Sequence, residues 1–289
     1  MSTIAPTDAM QITPLGEHLG AEVTGLDLRN PLDPDVISRL YDAAVDHVAL
    51  VIRNQRFSAA QYAKAAALFG DLMEDQNRLY LAPGVPLVST LSNRHKDSQG
   101  RPAKVGANAT WHTDHTNQPC PPKFTCLYAV ELPDSGGATS VCNMRAAYAA
   151  LEPELRTRLS DMQTANSLIS SARFEGGNPD IVRAQKNSSE PFTIHPLVRT
   201  HPDRGTQAIW FHKSKTEKIL GMTPAQTQDF LEELLERALR PEFIYVHEWR
   251  RGDMLIVDNR SAMHKASHDF DHSQHRLLYR ALVRGDRPV

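Results

Sequence analysis

Cysteine is scarce in this chain. Cys120, Cys126 and Cys142 are an odd number with no CxxC spacing, which argues against a disulfide framework or a thiolate zinc site and fits a reducing compartment. Long apolar runs are missing too. No stretch approaches the roughly 18–20 apolar residues of a membrane span, and the opening MSTIAPTDAMQITPLG has neither the basic nor the apolar block of a signal peptide. Charge of one sign is not in excess: 32 Lys and Arg against 34 Asp and Glu leave a formal net charge of −2. No global field therefore favours nucleic acid or an anionic membrane. Repeats and low-complexity tracts are likewise absent. What remains is 289 residues, 40% of them apolar, enough to bury a core without disulfides or a structural metal. The expectation from composition is a soluble, globular, cytosolic protein, and composition does not say what it does.

Local signals outline the architecture. Residues 11–13 and 21–23 read as short strands closed by nearby glycine or proline. Pro34 and Asp35 open an amphipathic helix reaching His47, with Ile37, Leu40, Ala44 and Val48 recurring on one face. The apolar run 48–53 reads as a buried strand. Ser58 and Gln61 then form a capping-box signature for a helix that stops at Gly70. Further strand signals occupy 124–130, 208–211, 243–247, 254–257 and 277–283, interrupted by helical stretches at 145–159 and 224–238. Polar segments near 93–109 and 171–190 carry no sustained period and read as lid loops. The sum is a mainly β chain with flanking helices, one domain over 1–289, suited to a jelly-roll core rather than a parallel doubly wound sheet.

The informative stretch is Thr110-Trp111-His112-Thr113-Asp114. In an extended strand, His112 and Asp114 would project from one face. One imidazole and one carboxylate need a third ligand. The spacing leaves His264, His268, His272 and His275 open, though His264 follows closely on a strand and the others sit in or beyond a polar loop. Two His and one carboxylate on one face leave three positions free, as Fe(II) needs to take a bidentate oxoacid and O2. Beyond them, Arg276 and Arg280 are evenly spaced on a strand, placing both guanidiniums on one face. Arginine pairs bidentately with carboxylates; two solvated arginines are the alternative. Thr139, after Gly136 and Gly137, offers a hydroxyl or marks a plain turn. Trp210 and Phe211 either line a pocket or pack in the core, and Lys213, Lys215 and Lys218 either attract an anion or are solvated.

Taken in order, WHTD, ELPDSGGAT with NMRAAYAAL, LVRTHP, GDMLIVDNRSAMH and HRLLYRALVRGD resemble the TauD/TfdA family of dioxygenases. The likeness extends from ITPLGEHLGAEVTGLDL through FGDL to the last of these motifs. It implies a double-stranded β-helix fold; a homo-oligomer, dimer or tetramer, is expected. It also implies Fe(II) held by His112, Asp114 and His264, with 2-oxoglutarate and O2 as cosubstrates. By the same resemblance, Thr139 and Arg276 hold the distal carboxylate of 2-oxoglutarate, and Arg280 faces an anionic group of the prime substrate. Asn108 and His115 fall beside that substrate. After FGDL the chain reads Met73-Glu74-Asp75-Gln76, where the taurine enzyme has a histidine-containing segment. The implied reaction couples oxidative decarboxylation of 2-oxoglutarate to oxidation of a C–H bond, by hydroxylation or by heteroatom-bond cleavage after it. The rival classes are a cupin-like isomerase or hydrolase and an inactive binding protein on the same scaffold.

Overall fold

A computed structural model describes residues 10–76, 78–97, 100–101, 110–168 and 192–289. The loop expected at 171–190, most of the second half of the one at 93–109, and Asn108 lie outside the described residues. The N-terminal half carries β1 (Gln11–Pro14), β2 (Ala21–Thr24), β3 (Ala49–Ile52), β4 (Leu72–Met73), β5 (Leu81–Ala82), β6 (Val85–Ser92), β7 (Phe124–Glu131) and β8 (Thr139–Asn143). Then follow β9 (Gln163–Asn166), β10 (Thr193–Pro196), β11 (Val198–Thr200), β12 (Gln207–Ile209), β13 (Thr216–Ile219), β14 (Ile244–His247), β15 (Met254–Asp258), β16 (Ala262–Ala266) and β17 (Leu277–Val283). The helices are α1 (Pro34–His47), α2 (Ala59–Ala66), α3 (Met144–Ala149), α4 (Pro153–Ser160) and α5 (Pro224–Ala238).

Helix ends follow their capping chemistry. Asp33 caps α1 by accepting from the Asp35 amide, while Ser58–Gln61 and Thr223–Gln226 close reciprocal capping boxes on α2 and α5. The helix expected over 145–159 is in fact two. Asn143 caps α3, and Pro153 begins α4, because proline suits a first helical turn but not a helix interior.

Among the described residues, nine strands form the larger sheet, in the order β1-β2-β3-β15-β7-β17-β6-β5 with β4 also pairing β17. A three-stranded sheet, β14-β8-β16, lies against it. Alternation along the strands decides what fills each layer. In β15, Leu255 and Val257 join Val51 of β3, Leu127 of β7, Val141 of β8 and Ala262 of β16 between the two sheets. Met254 and Ile256 point the other way, onto α1 and α2. A third cluster packs Cys142 and Met263 of the small sheet against α3 and α5. This is the two-sheet sandwich of a jelly roll with helices outside, the mainly β architecture expected.

The tight turn from β15 to β16 is fastened by charge. Asp258 Oδ1 accepts from the Arg260 amide and Nε, both at 2.9 Å, and Oδ2 accepts from Arg260 Nη2 at 2.9 Å and faces His201 Nε2 at 3.0 Å. Arg260 Nη1 continues to Asp203 Oδ2 at 2.9 Å. Burial favours the neutral acid at Asp258, yet Arg260 and His201 outweigh it and pull the pKa from 3.8 to about 2. A depressed folded-state pKa contributes stability above the unfolded value that is lost as pH falls through the folded one. The Asp258→Asn protein is therefore expected to be less stable than wild type at neutral pH, with the gap closing as pH falls from about 4 to about 2. Urea unfolding of both proteins across that window measures it; a gap independent of pH would contradict it.

Candidate metal centre

The inner face of the small sheet carries the third histidine. His264 lies in β16 two residues after Ala262, so both face the interior between the sheets. His112 is bridged antiparallel to His264 on one side and to His212 on the other. It exchanges backbone hydrogen bonds with His264, its amide donating at 3.1 Å and its carbonyl accepting at 2.8 Å. The expected strand over 110–114 is not formed: His112 is a single bridged residue, and a turn begins at Asp114. Thr113 is anchored by its hydroxyl to the Ala262 carbonyl, and His115 sits at φ +52°, a conformation a continuing strand would not allow.

The three side chains nonetheless converge. Their donor atoms lie within 4.8 Å of one another and all three residues are buried. Asp114 Oδ1 is 3.5 Å from His112 Nε2, and Oδ2 is 3.9 Å from His264 Nε2. His112 Nδ1 meets the Thr110 carbonyl at 2.8 Å. A carbonyl only accepts, so Nδ1 carries a proton, and Nε2 is the ring nitrogen that faces Asp114. Burial, with His112 beside it, pushes His264 down to about 3 against the pull of Asp114, so its imidazole is neutral. Burial opposes ionisation of Asp114, but the hydrogen bond with His112 and the charge of Arg280 hold its carboxyl well below the usual range. Two imidazoles and one carboxylate without thiolates are a donor set for divalent iron.

A further layer, not singled out in the sequence, orients the carboxylate. Thr125, on the inner face of β7, donates to Asp114 Oδ2 at 2.6 Å and accepts from Asn259 Nδ2 at 2.8 Å. Asn259 Oδ1 lies 3.5 Å from the Asp114 amide, and its carbonyl accepts from Trp210 Nε1 at 2.9 Å. A hydroxyl amid the apolar FTCLYAV strand was the available signal for Thr125.

Arg276 precedes β17 and is buried. Its Nε and Nη2 donate to the Gly137 carbonyl at 3.1 and 2.8 Å. Burial lowers its pKa to about 10, with no described carboxylate opposing that. Gly137 is more than a plain turn residue: at φ +70°, a Cβ there would stand 2.8 Å from Arg276 Nε. Thr139, two residues on, accepts from Trp249 Nε1 at 3.0 Å. Arg280 pairs with Ser89 of β6 across the sheet and forms an ion pair with Asp75. A register shift between Leu277 and Leu278 separates the two arginines, so even spacing alone does not relate their surroundings. His115 is buried beside Asp75, with Nε2 3.7 Å from Oδ1.

Other candidates lie elsewhere. Trp210 and Phe211 are 1% and 0% exposed and pack in the interior, Trp210 against His195 and Arg199. Lys213 pairs with Glu232, and Lys215 donates to Asn117 Oδ1. His268 and His272 are exposed, and His275 bonds Glu131 and Ser92. Of the four histidines left open by spacing, His264 joins His112 and Asp114.

Residues 11–282 match the family described as taurine catabolism dioxygenase TauD, TfdA family. The chain is similar to the alpha-ketoglutarate-dependent 2,4-dichlorophenoxyacetate dioxygenase of Cupriavidus pinatubonensis, 34% identical over 96% of this chain and 98% of the relative. An alkylsulfatase of Acinetobacter baylyi is 30% identical over 97% of this chain and 87% of its own length. Among solved structures, AAD-2 in complex with Mn(II) and N-oxalylglycine superposes with a TM-score of 0.78 at 30% identity, covering 96% of this chain and 98% of that one.

Replacing Thr125 with valine removes the donor to Asp114 Oδ2 and leaves Asn259 Nδ2 without its acceptor. Divalent-metal affinity is expected to fall by about 10- to 100-fold, the usual consequence of losing such an outer contact. Titration with Mn(II) reads it directly, Thr125→Ser serving as the variant that keeps the hydroxyl; equal affinity in Thr125→Val would show that Thr125 does not act on the centre.

Proposed function

The chain belongs to the TauD, TfdA family of taurine catabolism dioxygenases, and from that premise we propose that His112, Asp114 and His264 hold Fe(II) while Arg276 and Thr139 receive the distal carboxylate of 2-oxoglutarate. The protein is an Fe(II)- and 2-oxoglutarate-dependent dioxygenase acting on a small organic molecule and releasing succinate and CO2. The observation that carries the residue assignment is Arg276: a buried guanidinium whose described partner is a carbonyl rather than a carboxylate. Burying a cation is costly unless an anion accompanies it. A dicarboxylic cosubstrate supplies that anion at one end and chelates metal at the other.

When bound, iron and 2-oxoglutarate together reduce O2 and supply the oxidising equivalent that takes hydrogen from a substrate C–H bond. The protein contributes geometry and electrostatics. Thr110 sets the tautomer of His112, Thr125 and Asn259 aim the Asp114 carboxylate, and the two sheets exclude water around them. The Thr139 hydroxyl, already accepting from Trp249, keeps its own proton to donate to a carboxylate. Relatives named for dichlorophenoxyacetate and for alkyl sulfates support a prime substrate with an anionic group facing Arg280. Hydroxylation is the proposed outcome, followed by heteroatom-bond cleavage where the hydroxyl lands beside O, N or S. Cytoplasmic residence is proposed with it, supported by three free cysteines.

Oxygen consumption with Fe(II) and ascorbate should be stimulated by 2-oxoglutarate, which neither a cupin-like hydrolase nor an inactive binding protein would show. In that assay His264→Ala should abolish turnover in a protein that remains folded by circular dichroism; wild-type turnover would move the third ligand to another histidine.

Arg276→Ala should raise the KM for 2-oxoglutarate by roughly 10- to 100-fold, the scale of a charge-assisted bidentate contact. Arg276→Lys should recover only part, because an ammonium cannot form the fork. Steady-state titration of 2-oxoglutarate decides it, and an unchanged KM would remove Arg276 from the cosubstrate site.

A further inference from the structure

Arg276 stands one residue before β17, where ordinary strand pairing gives out. Leu277 pairs with Ser92 at the end of β6, and on the β7 side the register shifts between Leu277 and Leu278. The next partners outward are Arg276 and Asn93, and here a side chain takes over part of the ladder. The Asn93 amide donates to the Arg276 carbonyl at 3.4 Å, as a strand neighbour would. The Arg276 amide, however, donates to Asn93 Oδ1 at 3.0 Å. The nitrogen of the same carboxamide is used as well: Nδ2 donates to the carbonyls of His272 and Gln274 at 3.1 and 2.8 Å. A flipped amide would set its oxygen against two carbonyls and its nitrogen against an N–H, so these partners fix its orientation.

We propose that Asn93 is a positioning residue for the 2-oxoglutarate site, fixing the backbone from which the Arg276 guanidinium reaches the distal carboxylate. This rests on the proposed function and extends it to a residue outside the metal centre. A guanidinium that grips a carboxylate through two parallel bonds tolerates little displacement of its own main chain. Both polar groups of the Arg276 main chain, its N–H and its carbonyl, are held by Asn93. The same side chain pins the turn leading into Arg276, which the Gln274 amide closes on the Asp271 carbonyl at 3.0 Å. At its far end the guanidinium is placed by the Gly137 carbonyl, where a Cβ would stand 2.8 Å from Nε. Asn93 at the root and Gly137 at the tip therefore define where the fork lies. His275, the neighbour in sequence, is tied separately, its Nε2 2.9 Å from Ser92 Oγ and its Nδ1 2.5 Å from Glu131 Oε2.

The test is calorimetric titration of the Mn(II)-loaded protein with 2-oxoglutarate, with steady-state kinetics of the Fe(II) enzyme beside it. Asn93→Ala is expected to weaken 2-oxoglutarate binding, and to raise its KM, by roughly 3- to 10-fold, the scale of a lost hydrogen bond or two. The kcat at saturating 2-oxoglutarate and the affinity for Mn(II) should stay as in wild type. Asn93→Asp should bind more weakly than Asn93→Ala, because a carboxylate oxygen would replace Nδ2 opposite the carbonyls of His272 and Gln274. In the Arg276→Ala background, Asn93→Ala should cost nothing further, since the residue acts through that arginine. Asn93→Ser is the second variant should Asn93→Ala fail to fold. Unchanged 2-oxoglutarate affinity, an equal loss of Mn(II) affinity, tighter binding by Asn93→Asp than by Asn93→Ala, or a loss that persists in Arg276→Ala would overturn the proposal. Arg276→Ala by itself separates the two failures. If it weakens binding and Asn93→Ala does not, the Asn93 inference alone fails; if Arg276→Ala leaves binding unchanged, the cosubstrate reading fails with it.

Discussion

His112 and His264 are joined by two backbone hydrogen bonds, and much of the site hangs from that bridge. It fixes the separation of two imidazoles through main chain rather than through flexible side-chain contacts. It also brings the end of a loop onto the inner face of the small sheet. Asp114 then needs only the turn after Thr113 to reach the same point, and Thr125 from the opposite sheet meets its carboxylate. The centre is thus assembled from both sheets of the sandwich, which gives it a rigid, water-poor setting. Burial there keeps His264 neutral, while His112 and Arg280 keep Asp114 ionised. Both are the protonation states that metal binding requires.

Charge around this centre is graded by how each arginine is partnered. Arg260 is spent on Asp258 and Asp203, where it stiffens the turn leading into β16. Arg280 shares its charge with Asp75. Arg276 has the Gly137 carbonyl as its described partner. Three buried or largely buried guanidiniums therefore serve three purposes, and the difference lies in whether a carboxylate of the chain reaches them. Glycine at 137 belongs to the same arrangement, since any side chain there would displace Arg276.

Much of the architecture was legible in sequence. The capping box at Ser58 marked a helix start, and β17 was readable to its ends because seven successive residues carry a strand pattern. The misreadings have local causes. The helix over 145–159 breaks because Pro153 cannot continue it. Residues 208–211 read as one strand, but β12 ends at Ile209, and Trp210 and Phe211 are buried by tertiary packing beyond it. β8 and β16, which frame the site, were not recognised as strands. Their residues alternate between two different buried layers, so TSVCN and AMHKA show no simple polar–apolar period.

The sequence by itself determined the residue types of the centre, the order of its motifs and the mainly β fold class, because ligand chemistry and turn chemistry are local properties. Which histidine completes the trio was left open by spacing and decided by β16, whose register with His112 brings His264 inward. The partners of Arg276 and Arg280, the Thr125–Asn259 support of Asp114 and the burial of Trp210 likewise belong to tertiary structure alone. Each depends on which residues from distant strands face one another across the two sheets, and strand register is a property of the whole sandwich that no single segment encodes.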